Sequence, residues 1–149
     1  MLPRELLATA PVPDTDRELR LYRSGALFSI KMMGRGDLMN SRQHGSERAL
    51  ATLACGRMRP AGAARVLVGG LGLGHTAAAV LEYSNVERLV VVELLAPVID
   101  WHRNRLVPLA GPLMEDARCS LVEGDFFEHV AAAGKDRVYD AILLDIDHA

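Results

Sequence analysis

The chain of 149 residues has only two cysteines, Cys55 and Cys119. Small secreted domains with little apolar core usually depend on several disulfides, so this scarcity argues against that class of protein. The segment that follows Met1 also lacks the basic and then apolar pattern of a secretory leader. Together these absences predict a protein of a reducing compartment, and the expected location is the cytoplasm.

Long apolar runs and a charge excess of one sign are missing as well. The longest apolar runs, such as Leu89–Val92, are far shorter than the roughly 20 residues that span a bilayer. The sequence has 17 Lys and Arg against 19 Asp and Glu, a net charge of −2, which gives no global reason to expect a nucleic acid or membrane partner. With 50% apolar residues, the composition is that of a globular domain rather than a disordered chain.

Beyond Pro60 the chain alternates short apolar runs with segments of helical character. The four runs are Arg65–Val68, Leu89–Val92, Cys119–Val122 and Ala141–Leu144. The helical segments between them are Thr76–Leu81, Ala96–Leu106 and Phe126–Ala133. Runs without polar alternation indicate strands that are covered on both faces. The pattern predicts an α/β fold with a Rossmann-like, doubly wound parallel sheet, whose ligands bind at the carboxyl ends of the strands.

The part before Pro60 has a different pattern. Residues 1–16 carry three prolines and no sustained period, which predicts a surface arm. Alternation over Leu19–Tyr22 and Ala26–Met32 predicts a β-hairpin that ends at a turn over Gly34–Asp37, and a helix is predicted from Ser46 to Cys55. The predicted divisions are an arm at 1–16, a hairpin and helix appendage at 17–60, and a nucleoside-binding core at 61–149.

The sequence stops at Ala149, shortly after the fourth apolar run, whereas an open α/β sheet usually has more strands. A buried parallel strand at an uncovered edge would expose unpaired backbone and apolar side chains. We therefore expect the sheet to be incomplete at its C-terminus, with the edge covered by residues of a longer chain or by another copy in a homo-oligomer.

The strongest functional signal is the segment VLVGGLGLGHT from Val66 to Thr76, in which an apolar strand runs through closely spaced glycines into a helix. Glycine permits positive φ angles and close approach to the backbone, and a helix N-terminus offers free amides to a ligand. We therefore predict a ligand-binding loop. Its residues are Gly69, Gly70, Gly72, Gly74 and the adjacent His75, which either contacts a carboxylate of the ligand or only begins the helix.

Two ligand classes fit this loop. Gly70-x-Gly72-x-Gly74 is typical of folds that bind S-adenosylmethionine, whereas Gly72-x-Gly74-x-x-Ala77 is similar to the dinucleotide fingerprint. In the dinucleotide motif the first glycine closes the strand, but here Gly69 and Gly70 already do so. The register favours S-adenosylmethionine and leaves a dinucleotide as the alternative.

Polar residues follow the second and third runs. Glu93 lies about 20 residues beyond the loop, a distance at which a carboxylate accepts hydrogen bonds from ribose hydroxyls. The adjacent Leu94 is placed in the same predicted site. Asp125 is placed to accept a hydrogen bond from an adenine amino group, and Phe126 to lie against the ring. The alternatives are a helix cap for Asp125 and a core position for the phenylalanine.

Asp145, Asp147 and His148 follow the fourth run. Because Ile146 separates the two acids, they would point to opposite sides of an extended strand, and we choose Asp145 as the one that faces the ligand. His148 is the second predicted catalytic residue, with a solvated histidine as the alternative. The histidines and cysteines lack the paired spacing of a zinc site, so no metal is predicted.

Taken in order, the hairpin, the helix at Ser46-Glu47 and the segments VLVGGLGLGHT, LVVVELL, VEGDFF and YDAILLDIDH resemble the spermidine synthase-like branch of the S-adenosylmethionine-dependent methyltransferase fold. The resemblance covers about Leu19 to Ala149. It implies that Glu93 binds ribose, that Asp125 with Phe126 holds adenine, and that Asp145 assists deprotonation of an attacking amine. It also implies S-adenosylmethionine or decarboxylated S-adenosylmethionine as the cofactor and a small molecule as the acceptor.

The sequence departs from polyamine aminopropyltransferases at three places. That family usually has an acid where this chain has Gly72, Tyr-His-Glu at 45–47 where it has Gly-Ser-Glu, and a second acid where it has His148. Carboxylates hold cationic amines, so these losses weaken a polyamine acceptor but leave the nucleoside site intact. We therefore expect a transferase in which methyl transfer is slightly favoured over aminopropyl transfer. The alternatives are a nucleoside-binding module without turnover and an NAD(P)-dependent oxidoreductase.

Overall fold

A computed structural model of the chain describes residues 2–34, 36–40, 45–58, 63–134 and 138–146, with the backbone alone at 36–38 and 40. The chain divides into two compact units, an N-terminal one and a second one from residue 45 to residue 146. The helix at the start of the second unit therefore groups with the parallel sheet and not with the N-terminal strands.

The N-terminal unit is an antiparallel sheet in which neighbours along the chain are neighbours in space. Its strands, in this order, are β1 (Glu5–Pro11), β2 (Glu18–Ser24), β3 (Leu27–Met32) and β4 (Gly36–Asn40). The predicted hairpin is the β2–β3 pair. Leu19, Leu21 and Ile30 are fully or almost fully buried, because alternate side chains of β2 and β3 share one covered face.

The structure differs from the prediction on both sides of this hairpin: the predicted arm before it contains a strand, and the predicted turn after it is shorter. Glu5–Pro11 is a strand paired with β2, with an irregularity between Leu6 and Ala8. All of its residues are exposed or half-buried, so backbone pairing with β2 rather than a buried apolar face holds it in place. The turn after β3 falls at Met33 and Gly34, and Gly36 already belongs to β4.

The second unit is a parallel sheet with helices between its strands. The strands are β5 (Ala64–Gly69), β6 (Val86–Glu93), β7 (Cys119–Glu123) and β8 (Ala141–Leu144), in the order β7-β6-β5-β8. The helices are α1 (Gly45–Cys55), α2 (His75–Leu81), α3 (Ala96–Arg103), α4 (Ala110–Glu115) and α5 (Phe126–Ala132). The predicted doubly wound α/β fold is confirmed. The order of the strands reverses between β5 and β8, so the expected binding crevice lies at their carboxyl ends.

Burial explains the apolar runs in this unit. Val66, Leu67 and Val68 of the central strand β5 are completely buried, because strands flank it on both sides and helices cover the sheet. Helix α4 was not expected from the sequence, since Gly111 and Pro112 are typical of a turn. Both lie in its first turn, where a missing proline N–H removes no hydrogen bond within the helix. In the described part of the chain, no helix has the length and apolar character needed to cross a membrane.

Strand β8 lies at one edge of the described parallel sheet. Leu143 is 1% exposed, but Ile142 and Leu144, which point to the opposite face, are 51% and 49% exposed. Large apolar side chains on an edge strand favour association with another surface.

We therefore expect the 149-residue chain to self-associate through β8. Replacing both Ile142 and Leu144 with threonine should shift it toward the monomer, because threonine suits a strand but removes most of the apolar area. Light scattering over a concentration series measures this shift. Leu53→Gln, at a side chain 61% exposed on α1, is the matched control and should change nothing. A wild-type chain that stays monomeric at high concentration would contradict the prediction.

Candidate functional site

The glycine loop connects β5 to α2 at the carboxyl edge of the parallel sheet. Gly70, Gly72 and Gly74 have φ angles of +97°, +51° and +91°, a backbone region that favours glycine. Gly70 N donates to the Val92 carbonyl oxygen and Gly74 N to the Leu71 carbonyl oxygen, each at 2.8 Å. The path of the backbone itself therefore favours glycine at every second position of this loop.

Other parts of the chain occupy the space that side chains would need at three loop positions. A Cβ on Gly69 would lie 2.6 Å from the Phe126 ring, and a Cβ on Gly74 would lie 2.7 Å from the Leu113 side chain. A Cβ on Gly70 would overlap the backbone carbonyl oxygen of Asp145. At these positions glycine is needed for packing against the fold, which the sequence alone attributed to ligand approach.

Glu93 ends β6 next to the loop, and its half-buried carboxylate is held by two backbone amides. Oε2 accepts a hydrogen bond from Leu71 N at 2.8 Å, and Oε1 accepts one from Leu95 N at 2.9 Å. A carboxylate oxygen can accept more than one hydrogen bond, so both remain competent acceptors for a ligand. The neighbouring Leu94 is 57% exposed and presents an apolar surface beside this carboxylate.

Asp125 is the N-cap of α5. Its Oδ1 accepts hydrogen bonds from Phe127 N at 2.8 Å and Glu128 N at 3.0 Å. Gly124 N donates to the Glu93 carbonyl oxygen at 3.0 Å, so the start of α5 is tied to the end of β6. The cap that the sequence left as an alternative is present. Because both bonds end on Oδ1, contact of Oδ2 with an adenine amino group stays a prediction.

Phe126 occupies a core position, the other alternative from the sequence. It is 8% exposed and packs with Leu67 and Val92, and its ring fills the space above Gly69. The adjacent Phe127 is 63% exposed and lies edge-on to it, with 5.4 Å between ring centroids. Little of the Phe126 side chain is accessible to a ligand, which disfavours its predicted stacking on adenine.

Asp145 follows β8 and meets the loop from the side opposite to Glu93. Asp145 N donates to the Gly69 carbonyl oxygen at 2.8 Å, and its Oδ2 accepts a hydrogen bond from Thr76 Oγ1 at 2.6 Å. Thr76 is only 3% exposed, and His75, half-buried, is the first residue of α2. Asp145 thus lies where the strand order reverses. The other predicted catalytic residue, His148, falls outside the described residues.

His102 on α3 is a site residue that the sequence did not reveal. The ring is completely buried, and Nε2 lies 2.8 Å from the Gly72 carbonyl oxygen. A carbonyl oxygen only accepts, so Nε2 carries the proton in this contact. Burial lowers the pKa of His102, which keeps the ring neutral near pH 7. The available signal was its place on the buried face of α3 with Val98, Ile99 and Trp101.

The sequence profile of the spermine/spermidine synthase domain matches residues 47–148 of this chain. Putrescine N-methyltransferase 2 of Nicotiana attenuata is 36% identical over 81 residues, which cover 54% of this chain and 21% of that protein. A polyamine aminopropyltransferase of Saccharolobus islandicus is 38% identical over 81 residues, which cover 54% of this chain and 26% of that protein. The matched segment thus spans about a quarter of these relatives.

Solved structures of spermidine synthases share the fold of this chain. Spermidine synthase from Thermotoga maritima superposes with a TM-score of 0.73 at 19% identity, over 97% of this chain and 47% of that one. A spermidine synthase in complex with the transition state analogue AdoDATO superposes with a TM-score of 0.73 at 18% identity, over 94% and 47%. This chain therefore spans about half the length of the solved structures that share its fold.

The packing at the loop makes Gly70→Ala a severe substitution. The positive φ alone costs an L side chain about 1–2 kcal/mol, and the overlap with the Asp145 carbonyl adds to that cost. The control is Gly134→Ala, at a glycine with φ +68° and no atom within 4 Å of an added Cβ. Urea unfolding should show a clearly larger loss of stability for Gly70→Ala. Equal losses would show that the contact with Asp145 is not tight in solution.

Proposed function

Because the chain belongs to the spermine/spermidine synthase domain family, we propose that it binds S-adenosylmethionine or decarboxylated S-adenosylmethionine and alkylates a small-molecule nucleophile. One observation carries the proposal: the ends of three neighbouring strands bring Glu93 and Asp145 onto opposite sides of one glycine loop. A nucleoside on the β6 side and a proton acceptor on the β8 side would then be adjacent. Relatives named as putrescine N-methyltransferase and polyamine aminopropyltransferase support this class of reaction.

The ribose is assigned to Glu93. Two backbone amides, Leu71 N and Leu95 N, fix the plane of its carboxylate before any ligand arrives. A vicinal diol has two O–H donors at nearly the spacing of two carboxylate oxygens, so a preoriented carboxylate complements it. These residues fit an adenosyl group.

The adenine is assigned to the segment that begins at Asp125, with the exposed Leu94 as an apolar contact. Gly124 is hydrogen-bonded to the backbone of Glu93, so the residues proposed to bind adenine and ribose lie at the ends of neighbouring strands. With 8% of its surface exposed, Phe126 adds little surface to this site, and it anchors α5 to the core. The loop glycines and His75 are left to contact the remaining part of the cofactor.

Transfer needs few protein groups. When bound, the cofactor supplies a carbon that is activated by a sulfonium leaving group. Asp145 is proposed to orient the nucleophile and to accept the proton that an amine loses when it is alkylated. The Thr76 hydroxyl holds Oδ2 of Asp145, which restricts the carboxylate to one orientation. His148 is proposed as the second proton acceptor.

The finer proposal is that methyl transfer is slightly favoured over aminopropyl transfer. Gly72 supplies no carboxylate inside the loop, and the chain has His148 where a second acid is expected from the family resemblance. Each lost charge-assisted contact weakens binding of a cationic amine by roughly 1.5–3 kcal/mol, or about tenfold to a hundredfold or more. A dicationic acceptor should therefore bind weakly.

Ribose binding is tested by Glu93→Ala. We expect the affinity for methylthioadenosine, a neutral adenosyl ligand, to fall by about tenfold to a hundredfold, because a charged acceptor of two hydrogen bonds is lost. Calorimetry measures the affinity. Glu87→Ala, at an exposed residue near the other end of β6, is the matched control and should bind as wild type does. Unchanged affinity in Glu93→Ala would overturn the assignment.

The type of transfer is tested by incubating the chain with putrescine and either S-adenosylmethionine or its decarboxylated form, followed by mass spectrometry. We expect N-methylputrescine to form faster than spermidine. Gly72→Asp should improve the KM for putrescine, while Gly72→Asn, with the same shape and no charge, should not. Faster spermidine formation by the wild type would reverse the ranking.

The same incubation separates the other functional classes. Binding of methylthioadenosine with no product from any amine acceptor would support the non-catalytic module. Binding of NAD without binding of S-adenosylmethionine would support the oxidoreductase.

A further inference from the structure

We propose that His102 is a positioning residue: its neutral ring holds the Gly72 carbonyl and thereby keeps the glycine loop in the shape that binds the adenosyl ligand. The identity of the ligand rests on the proposed function, whereas the effect of His102 on the loop is independent of it. The donor of this hydrogen bond lies outside the loop, because His102 belongs to α3.

The ring is hydrogen-bonded to one glycine of the loop and occupies the space that a side chain would need at another. Nε2 lies 2.8 Å from the Gly72 carbonyl oxygen, and a Cβ on Gly74 would lie 3.0 Å from Cε1. His102 itself belongs to the buried residues of α3, as do Ile99, which is 1% exposed, and Trp101, which is 5% exposed. A rigid helix thus fixes the middle of a loop whose own residues are mostly glycine.

Further hydrogen bonds connect this part of the loop to Glu93, the proposed ribose-binding carboxylate. Gly72 follows Leu71, whose N–H donates to Glu93 Oε2 at 2.8 Å, and Gly74 N donates to the Leu71 carbonyl oxygen at 2.8 Å. If the Gly72 carbonyl were released, the peptide planes on either side of it could rotate. The Leu71 N–H would then lose its fixed direction toward Glu93.

The ability of the ring to donate a hydrogen bond explains why position 102 is a histidine. Nδ1 is buried and has no hydrogen-bond partner among the described residues, which a leucine of similar size would avoid. Addition of a proton to Nδ1 would place an unpaired charge in the core, and burial accordingly lowers the pKa of this histidine. The ring therefore contributes through the Nε2 proton alone.

The first test uses the chain without ligand. We compare amide hydrogen exchange in wild type, His102→Leu and His102→Gln, because the glutamine side chain can place an N–H near the position of Nε2. His102→Leu should exchange at least tenfold faster at Leu71 and Gly74, and His102→Gln should stay close to wild type. Ile99→Ala, a cavity on the same helix, is the control for general loss of stability.

Loop exchange that is unchanged in His102→Leu, or equally fast in Ile99→Ala, would overturn the proposal. If His102→Leu does not fold, His102→Asn replaces it, because its shorter side chain does not reach Gly72. The nitrogen NMR shifts of the wild-type ring give an answer without any variant. A proton on Nδ1 instead of Nε2 at pH 7 would also overturn the proposal.

The second test measures the affinity for methylthioadenosine and S-adenosylmethionine by calorimetry. We expect at least a tenfold loss in His102→Leu and recovery in His102→Gln, with Ile99→Ala close to wild type. Wild-type affinity in His102→Leu would overturn the positioning role. A wild type that binds neither ligand would instead refute the proposed function, and the exchange data and ring tautomer would still decide whether His102 holds the loop.

Discussion

The parallel pairing of β5 with β6 on one side and β8 on the other is the constraint on which the site depends. This pairing makes β5 the buried centre of the sheet and brings three strand ends to one edge. Backbone hydrogen bonds then join those ends, from Gly70 N to the Val92 carbonyl and from Asp145 N to the Gly69 carbonyl. Glu93, which ends β6, and Asp145, which follows β8, therefore reach the same loop, although about 50 residues separate them in the chain.

The glycine loop is tightly built into the fold. Phe126, Asp145 and Leu113 occupy the space beside its glycines, so the loop is packed from several sides. Such packing gives a ligand a backbone surface that is already ordered, which lowers the entropic cost of binding. The same packing makes the loop intolerant of added side chains, and the hydrogen bond from His102 to the Gly72 carbonyl is a further contact from outside the loop.

Charge is arranged unevenly around this edge. Glu93 and Asp145 keep half-buried carboxylates whose orientation is set by donors from the chain, whereas the fully buried ring nearby is neutral. A neutral histidine adds no positive charge near the loop, which suits the cationic cofactor that we propose. In the proposed function the acids at the edge act on the ligand, whereas the proposed role of His102 concerns the loop alone.

By itself, the sequence determined the four strands of the parallel sheet, the glycine loop and the acid that ends β6, because buried strands and positive φ angles impose residue types that are visible in one dimension. Only the tertiary structure decided the rest. Strand β1 has no apolar period because its pairing is a backbone property, and Phe126 proved to be a core residue because Gly69 leaves room for its ring. His102 could not be recognised from spacing, since its role arises where α3 packs on a loop 30 residues earlier in the chain. Contacts of this kind depend on how distant segments pack, and local sequence patterns do not record that packing.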